Sequence, residues 1–149
     1  MFSDITLDDF STVPKDFSGV YALYLNKDAK LDIFIAEAAE QMEASIKENK
    51  PVYIGSSEHV YRRIYANHLQ GVGASTLRKT IYELCDHSKI FELNTTLKMN
   101  EIINNWLCEN TYFKTCPTKE YCALEYMLIY KHNPVFNNGR KKFKNYRYN

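Results

Sequence analysis

Tyr21 and Tyr53 are candidates for chemistry because each stands beside a glycine in a short, β-prone string, Gly19-Val20-Tyr21 and Tyr53-Ile54-Gly55. A glycine lets a second backbone or a phosphate approach closely. Neighbouring strands carrying these strings would place both phenols on one face of a sheet. A phenol has a pKa near ~10, so it serves as a base only where a metal or a guanidinium lowers that value. Arg62 and Arg63 follow the second string, with Arg63 ten residues after Tyr53. A guanidinium's fork of donors suits a phosphoryl oxygen that gains charge in a transition state. The matching carboxylate is Glu125, set in the apolar stretch Ala123-Leu124-Glu125-Tyr126-Met127-Leu128-Ile129. It either emerges on the solvent side or binds Mg2+ or Mn2+, hard ions that accept one protein carboxylate plus waters and phosphate oxygens. His68 and His87 could act as acid, base or phosphate donor. Each residue also has a bland reading: strand tyrosines pack cores, arginine pairs face solvent, and isolated histidines sit on surfaces.

The elements that must position these groups follow from periodicity. Gly19 to Leu25 and Val52 to Gly55 read as strands. Between them, residues 31 to 48 read as an acidic helix, with Ile35, Ala38, Ala39, Met42 and Ile46 on one stripe and Glu37, Glu40, Glu43 and Glu48 between. Residues 58 to 69 read as a helix with Val60, Ile64 and Leu69 inward. Ser75 is the expected N-cap of a helix over Thr76 to Cys85, and Asn100 the expected cap of one running to Glu109. Thr111 to Thr115 reads as a third strand. Pro117-Thr118 opens a helix to Lys131, with Cys122, Leu124, Met127, Leu128 and Tyr130 facing the core. Residues 1–18 read as a loose lead-in. The fold class is therefore α+β: a small central three-stranded, mainly antiparallel sheet flanked by helices, with a helical insertion between the two motif strands.

The chain has 149 residues, 45% hydrophobic and 25% charged, ordinary values for a globular protein. The reading is one domain over 1–138, with the helical insertion at about 31–49 and a tail at 139–149. No apolar run reaches the ~18 residues of a membrane helix, and no basic leader opens the chain, so the expected address is the cytoplasm. Four cysteines without CxxC spacing read as reduced thiols and not as a zinc site. Net charge is +1, which does not by itself announce a nucleic-acid partner. The tail does more, with Arg140, Lys141, Lys142, Lys144 and Arg147 interleaved with Phe143, Tyr146 and Tyr148. Such a mixture can neutralise phosphates and stack on bases, or can simply be solvated.

Order and spacing together resemble the GIY-YIG nuclease family over about residues 19 to 138. Its members read GIY or GVY, then YIG or YVG, then an arginine ten residues past the second tyrosine, a glutamate on a later helix and an asparagine after it. Here these are Gly19-Val20-Tyr21, Tyr53-Ile54-Gly55, Arg63, Glu125 and Asn137. The resemblance implies a divalent-metal-dependent endonuclease that hydrolyses phosphodiester bonds, in DNA ahead of RNA. It implies that Tyr53 helps remove a proton from the attacking water and that Tyr21 assists. Glu125 would hold Mg2+ or Mn2+, Arg63 would hold charge on the phosphate, and Asn137 would brace the site with Gly19 and Gly55.

The chain departs from the family pattern at one catalytic position. Members carry His or Tyr fourteen residues after the second tyrosine, where this chain has Asn67, with His68 one further on. A helix turns about 100° per residue, so the two point differently. Either an extra residue has entered the helix or loop, with His68 catalytic, or His68 does another job. Substrate contacts are expected from Arg62, Arg78, Lys79 and the tail bases Arg140, Lys141 and Lys142. The apolar stripe of the insertion is expected to pack on its own domain in preference to forming a homodimer. Two other readings compete: a non-catalytic nucleic-acid-binding module on the same scaffold, and a protein-interaction domain using the acidic helix.

Overall fold

The computed structural model describes residues 3–5, 16–71, 73–93 and 97–138. The β-prone strings form antiparallel strands β2 (Gly19–Leu25), β3 (Tyr53–Ser57) and β4 (Thr111–Pro117). A short strand β1 (Ser3–Ile5) extends the sheet on the far side of β4, in the order β1-β4-β2-β3. The lead-in thus contributes an edge strand to the three that periodicity predicted. It pairs Ser3–Ile5 against Thr115–Phe113, and three residues are too few to display an alternation.

Register decides which side chains share a face. Tyr21 lies opposite Gly55 on one side and Thr115 on the other. Alternation then puts Tyr21, Leu23, Leu25, Tyr53 and Phe113 on one face, in the main core. Val20, Ala22 and Ile54 occupy the other face, under a second, smaller cluster.

The main face is covered by α1 (Ala36–Glu48), α3 (Thr76–Leu84), α5 (Met99–Asn110) and α7 (Val135–Asn138). The short helices α2 (Val60–Arg62) and α4 (His87–Leu93) complete this layer. Helix α1 is the acidic insertion, and Ala38 and Met42 are fully buried, so its stripe packs on its own chain. It starts later than residue 31 because Phe34 bridges to Cys85 and Ile35 N–H donates to Leu84 O at 2.9 Å. It stops at Asn49, which adopts a left-handed φ of 52°. Helix α5 begins after Lys98, one position before Asn100, so Asn100 is not the cap.

Among the described residues the other face carries only α6 (Tyr121–His132), which runs along β2 and β3. Leu124, Leu128 and Ile129 make its contact stripe. Cys122 is exposed, as are Met127 (65%) and Tyr130 (85%), so three of the residues expected inward face outward. The helix is apolar on nearly every side, and a pattern without contrast does not say which side is buried.

Candidate active site

Tyr21 is held by its strand partner. Its ring lies across Gly55, where an added Cβ would collide with Tyr21 Oη and Cζ. Gly19 is bare for another reason: a Cβ there would meet the Cys116 carbonyl of β4. The motif glycines therefore admit a ring and a backbone, respectively. Tyr53 sits beside Tyr21 with ring centroids 6.4 Å apart.

The helix after β3 starts as α2, where Asp16 accepts from Tyr61 N–H at 2.8 Å and from Arg62 N–H at 3.2 Å, supplying the cap from outside the helix. It then widens into a π-helical segment, Arg63–Leu69. The Gln70 N–H closes on Tyr65 O, five residues back, at 3.0 Å. In this geometry residues five apart share a face, as residues four apart do in an α-helix. Arg63 and His68 are five apart. The π segment thus absorbs the one-residue excess and brings His68, not Asn67, to the phenols. His68 is 0% exposed, and its Nε2 lies 2.7 Å from Tyr21 Oη. Its Nδ1 lies 2.7 Å from Ser75 Oγ.

Electrostatics couples these groups. Burial raises the Tyr21 pKa well above the usual phenol range, the neighbouring Tyr53 raises it further, and the Arg63 guanidinium opposes both. Burial also pushes Tyr53 up to about 12, with Arg63 lowering it and Glu125 raising it. The imidazole of His68 is pushed down to about 3, by burial first and then by Arg63 and Arg78. It is a neutral ring at any physiological pH. Tyr53 is the phenol that ionises more readily, and either phenol needs an added positive charge to do so near neutrality. Arg63 Nη1 donates to the Ala74 carbonyl at 2.8 Å, which anchors the guanidinium.

Glu125 approaches from the opposite face. It stands on α6, half-buried, and the Ser56 hydroxyl of edge strand β3 donates to its carboxylate. Its charge nonetheless acts on both phenols. Asn137, on α7, closes the same edge. Ile54 N–H donates to Asn137 Oδ1 at 2.9 Å, and Asn137 Nδ2 donates to Ile54 O at 2.9 Å. One side chain thus satisfies the donor and acceptor that an edge strand leaves open. For a metal, the donor set is one oriented carboxylate with a hydroxyl beside it. That hard-oxygen set fits Mg2+ or Mn2+, which retain several waters. Among the described residues no group of three or more His, Cys, Asp or Glu offers a fuller cage.

The expected substrate contacts divide. Arg62 and Lys79 are exposed. Arg78 is not an open cation: it is 8% exposed, with Nη1 donating to His68 O at 3.0 Å and Nη2 to Asn100 O at 3.3 Å. It ties the π segment to α5, a position that a charge-equals-surface reading misses. Arg140, Lys141 and Lys142 lie outside the described residues. His87 is half-buried, with Nε2 2.9 Å from Tyr82 O and its ring against that of Tyr82, and it makes no ring contact with Tyr21 or Tyr53. Sequence reasoning found Ser75 as a cap but not its contact with His68, which the spacing of seven residues does not suggest.

Residues 19–147 match the GIY-YIG catalytic domain. No curated protein and no solved structure matches the chain. The matched span takes in both tyrosine strings, the π segment, Glu125 and Asn137, and nearly all of the sheet and helices that hold them, and on that extent the chain belongs to the GIY-YIG family of nucleases.

Proposed function

We propose that this protein is a divalent-metal-dependent endonuclease that hydrolyses DNA. The observation that carries the reading is the meeting of two phenols, with ring centroids 6.4 Å apart and His68 Nε2 2.7 Å from Tyr21 Oη, with Arg63 and Glu125 near enough for their opposite charges to act on both. Phosphodiester hydrolysis needs a base for water, a cation for the phosphate and an anchor for a metal, and these residue types provide all three. Tyr53, the phenol with the smaller upward shift, would first lose its own proton to solvent beside the positive charges of Arg63 and a bound metal, and as the phenolate would take the proton from the attacking water. Tyr21 orients that water and is itself fixed by His68. Arg63 stabilises charge that builds on the phosphoryl oxygens. Glu125 would hold the ion, which supplies Lewis acidity at the phosphate when bound. Asn137 keeps the edge of β3 in place. Arg62, Lys79 and the basic tail contact the backbone of the substrate.

No helix among the described residues is long and apolar enough to cross a membrane. All four cysteines are free thiols, which suits the reducing cytoplasm where such an enzyme would meet DNA. The test is incubation of supercoiled plasmid, with a labelled RNA in parallel, in Mg2+, Mn2+ or EDTA. Metal-dependent nicking or linearisation of the plasmid supports the reading. Cleavage of RNA alone replaces the substrate. Salt-sensitive binding without cleavage in either metal overturns the reading in favour of a binding module.

A further inference from the structure

The contacts of His68 form a chain whose direction can be worked out proton by proton. Arg78 N–H can only donate, and it donates to Ser75 Oγ at 3.1 Å. The hydroxyl proton of Ser75 has one imidazole nitrogen within reach, His68 Nδ1 at 2.7 Å. If Ser75 donates there, Nδ1 is the acceptor and the ring proton resides on Nε2, 2.7 Å from Tyr21 Oη. Arg63 also hydrogen-bonds the Tyr21 hydroxyl and can only donate, so the Tyr21 proton is left to Tyr53. In this direction every proton up to Tyr53 ends on a named acceptor, and the Tyr53 proton is the one with no acceptor among these groups. In the reverse direction Ser75 would accept twice and its own proton would have no acceptor among these groups.

We propose that Ser75 is a positioning residue that sets the tautomer of His68, making the ring an Nε2–H donor to Tyr21 and not a base toward it. The inference rests on the nuclease reading and extends it, because a donor on Tyr21 and the Tyr21 proton aimed at Tyr53 Oη stabilise Tyr53 as the phenolate that serves as base. The tautomer itself stands on contacts within the chain and is measured without any substrate. A cap role alone would make Ser75 and Asp equivalent, since both cap helices well. A carboxylate can only accept, so Ser75→Asp must pull the ring proton onto Nδ1.

The experiment is the ¹⁵N shift of the His68 ring nitrogens in the full chain at neutral pH, for wild type, Ser75→Thr and Ser75→Asp. Expected are a pyrrole-type Nε2 and a pyridine-type Nδ1 in wild type and in Ser75→Thr, with the two exchanged in Ser75→Asp. A wild-type ring protonated on Nδ1, or a tautomer identical in Ser75→Asp, overturns the proposal whether or not the protein cuts DNA. In cleavage assays Ser75→Asp is expected to lower kcat by about 100-fold, the lower end of what a positioned proton-transfer group contributes, with KM unchanged. Ser75→Thr is expected to retain wild-type kcat. Should no metal-dependent cleavage be found in wild type, the nuclease reading fails and the ring shifts still decide the tautomer.

Discussion

Burial of His68 should make this protein sensitive to acid in a way that one substitution removes. The imidazole goes from an ordinary pKa of 6.5 in the unfolded chain to about 3 in the folded one. Above pH 6.5 neither state binds the proton, and the residue adds no pH dependence. Between 6.5 and about 3 the unfolded chain binds a proton that the folded one excludes, so stability is lost as pH falls. The slope is about 1.4 kcal/mol per pH unit, and the loss from pH 8 to pH 5 is therefore about 2 kcal/mol. That is a large share of the ~5–15 kcal/mol that holds a typical domain. The assay is urea unfolding followed by circular dichroism, wild type beside His68→Gln, at pH 8, 7, 6 and 5. Glutamine does not titrate, while the carboxylates titrate alike in both proteins and cancel in the difference. The stability advantage of wild type should shrink by about 2 kcal/mol between pH 8 and pH 5. An advantage constant across that range would show that His68 is solvated and protonated in the folded state, and the site as described would be wrong.

Three further perturbations test the frame around the site. Gly55→Ala puts a methyl into the Tyr21 ring; it should cost ~1–3 kcal/mol in denaturant unfolding and abolish cleavage, because Tyr21 must move. Asn137→Ala leaves both backbone groups of Ile54 open at the edge of β3 and should cost about 1–3 kcal/mol by the same measurement. Arg78→Ala should destabilise by ~2–3 kcal/mol, since its charged hydrogen bonds reach two carbonyls, whereas Lys79→Ala should stay within ~0.5 kcal/mol. Equal and small effects for the two cations would refute the burial of Arg78.

The strands were legible because a strand needs only local evidence. A run such as Gly19 to Leu25 carries Val20, Tyr21 and Tyr24, is too short at 7 residues for a typical helix, and ends in Asn26-Lys27-Asp28. The cap at Ser75 was legible for the same reason. What stayed hidden depends on the third dimension. Whether Asn67 or His68 reaches the phenols turns on the π segment, and that widening is supported by contacts of His68 with Tyr21 and Ser75 from two other elements. Arg78 is buried because two carbonyls await it, which no charge pattern discloses. Helix α6 presents apolar residues all round, so its contact stripe is set by what β2 and β3 offer and not by its own periodicity. The insertion shows the converse case. Its stripe and its acidic face were both readable, and the stripe does pack inward at Ala38 and Met42.

We propose that Glu125, which accepts from the Ser56 hydroxyl of β3, would hold the metal for phosphodiester cleavage. The most direct measurement is the rate of plasmid cleavage by Glu125→Gln against wild type across a titration of Mg2+ and Mn2+, with far-UV circular dichroism to verify the fold. Glutamine keeps the size of the side chain and removes its charge. The expected result is a folded variant whose cleavage falls by more than about 100-fold, beyond the 10–100-fold that loss of a group merely supporting a metal ligand costs. A folded Glu125→Gln that cuts at the wild-type rate with the same metal dependence would contradict it.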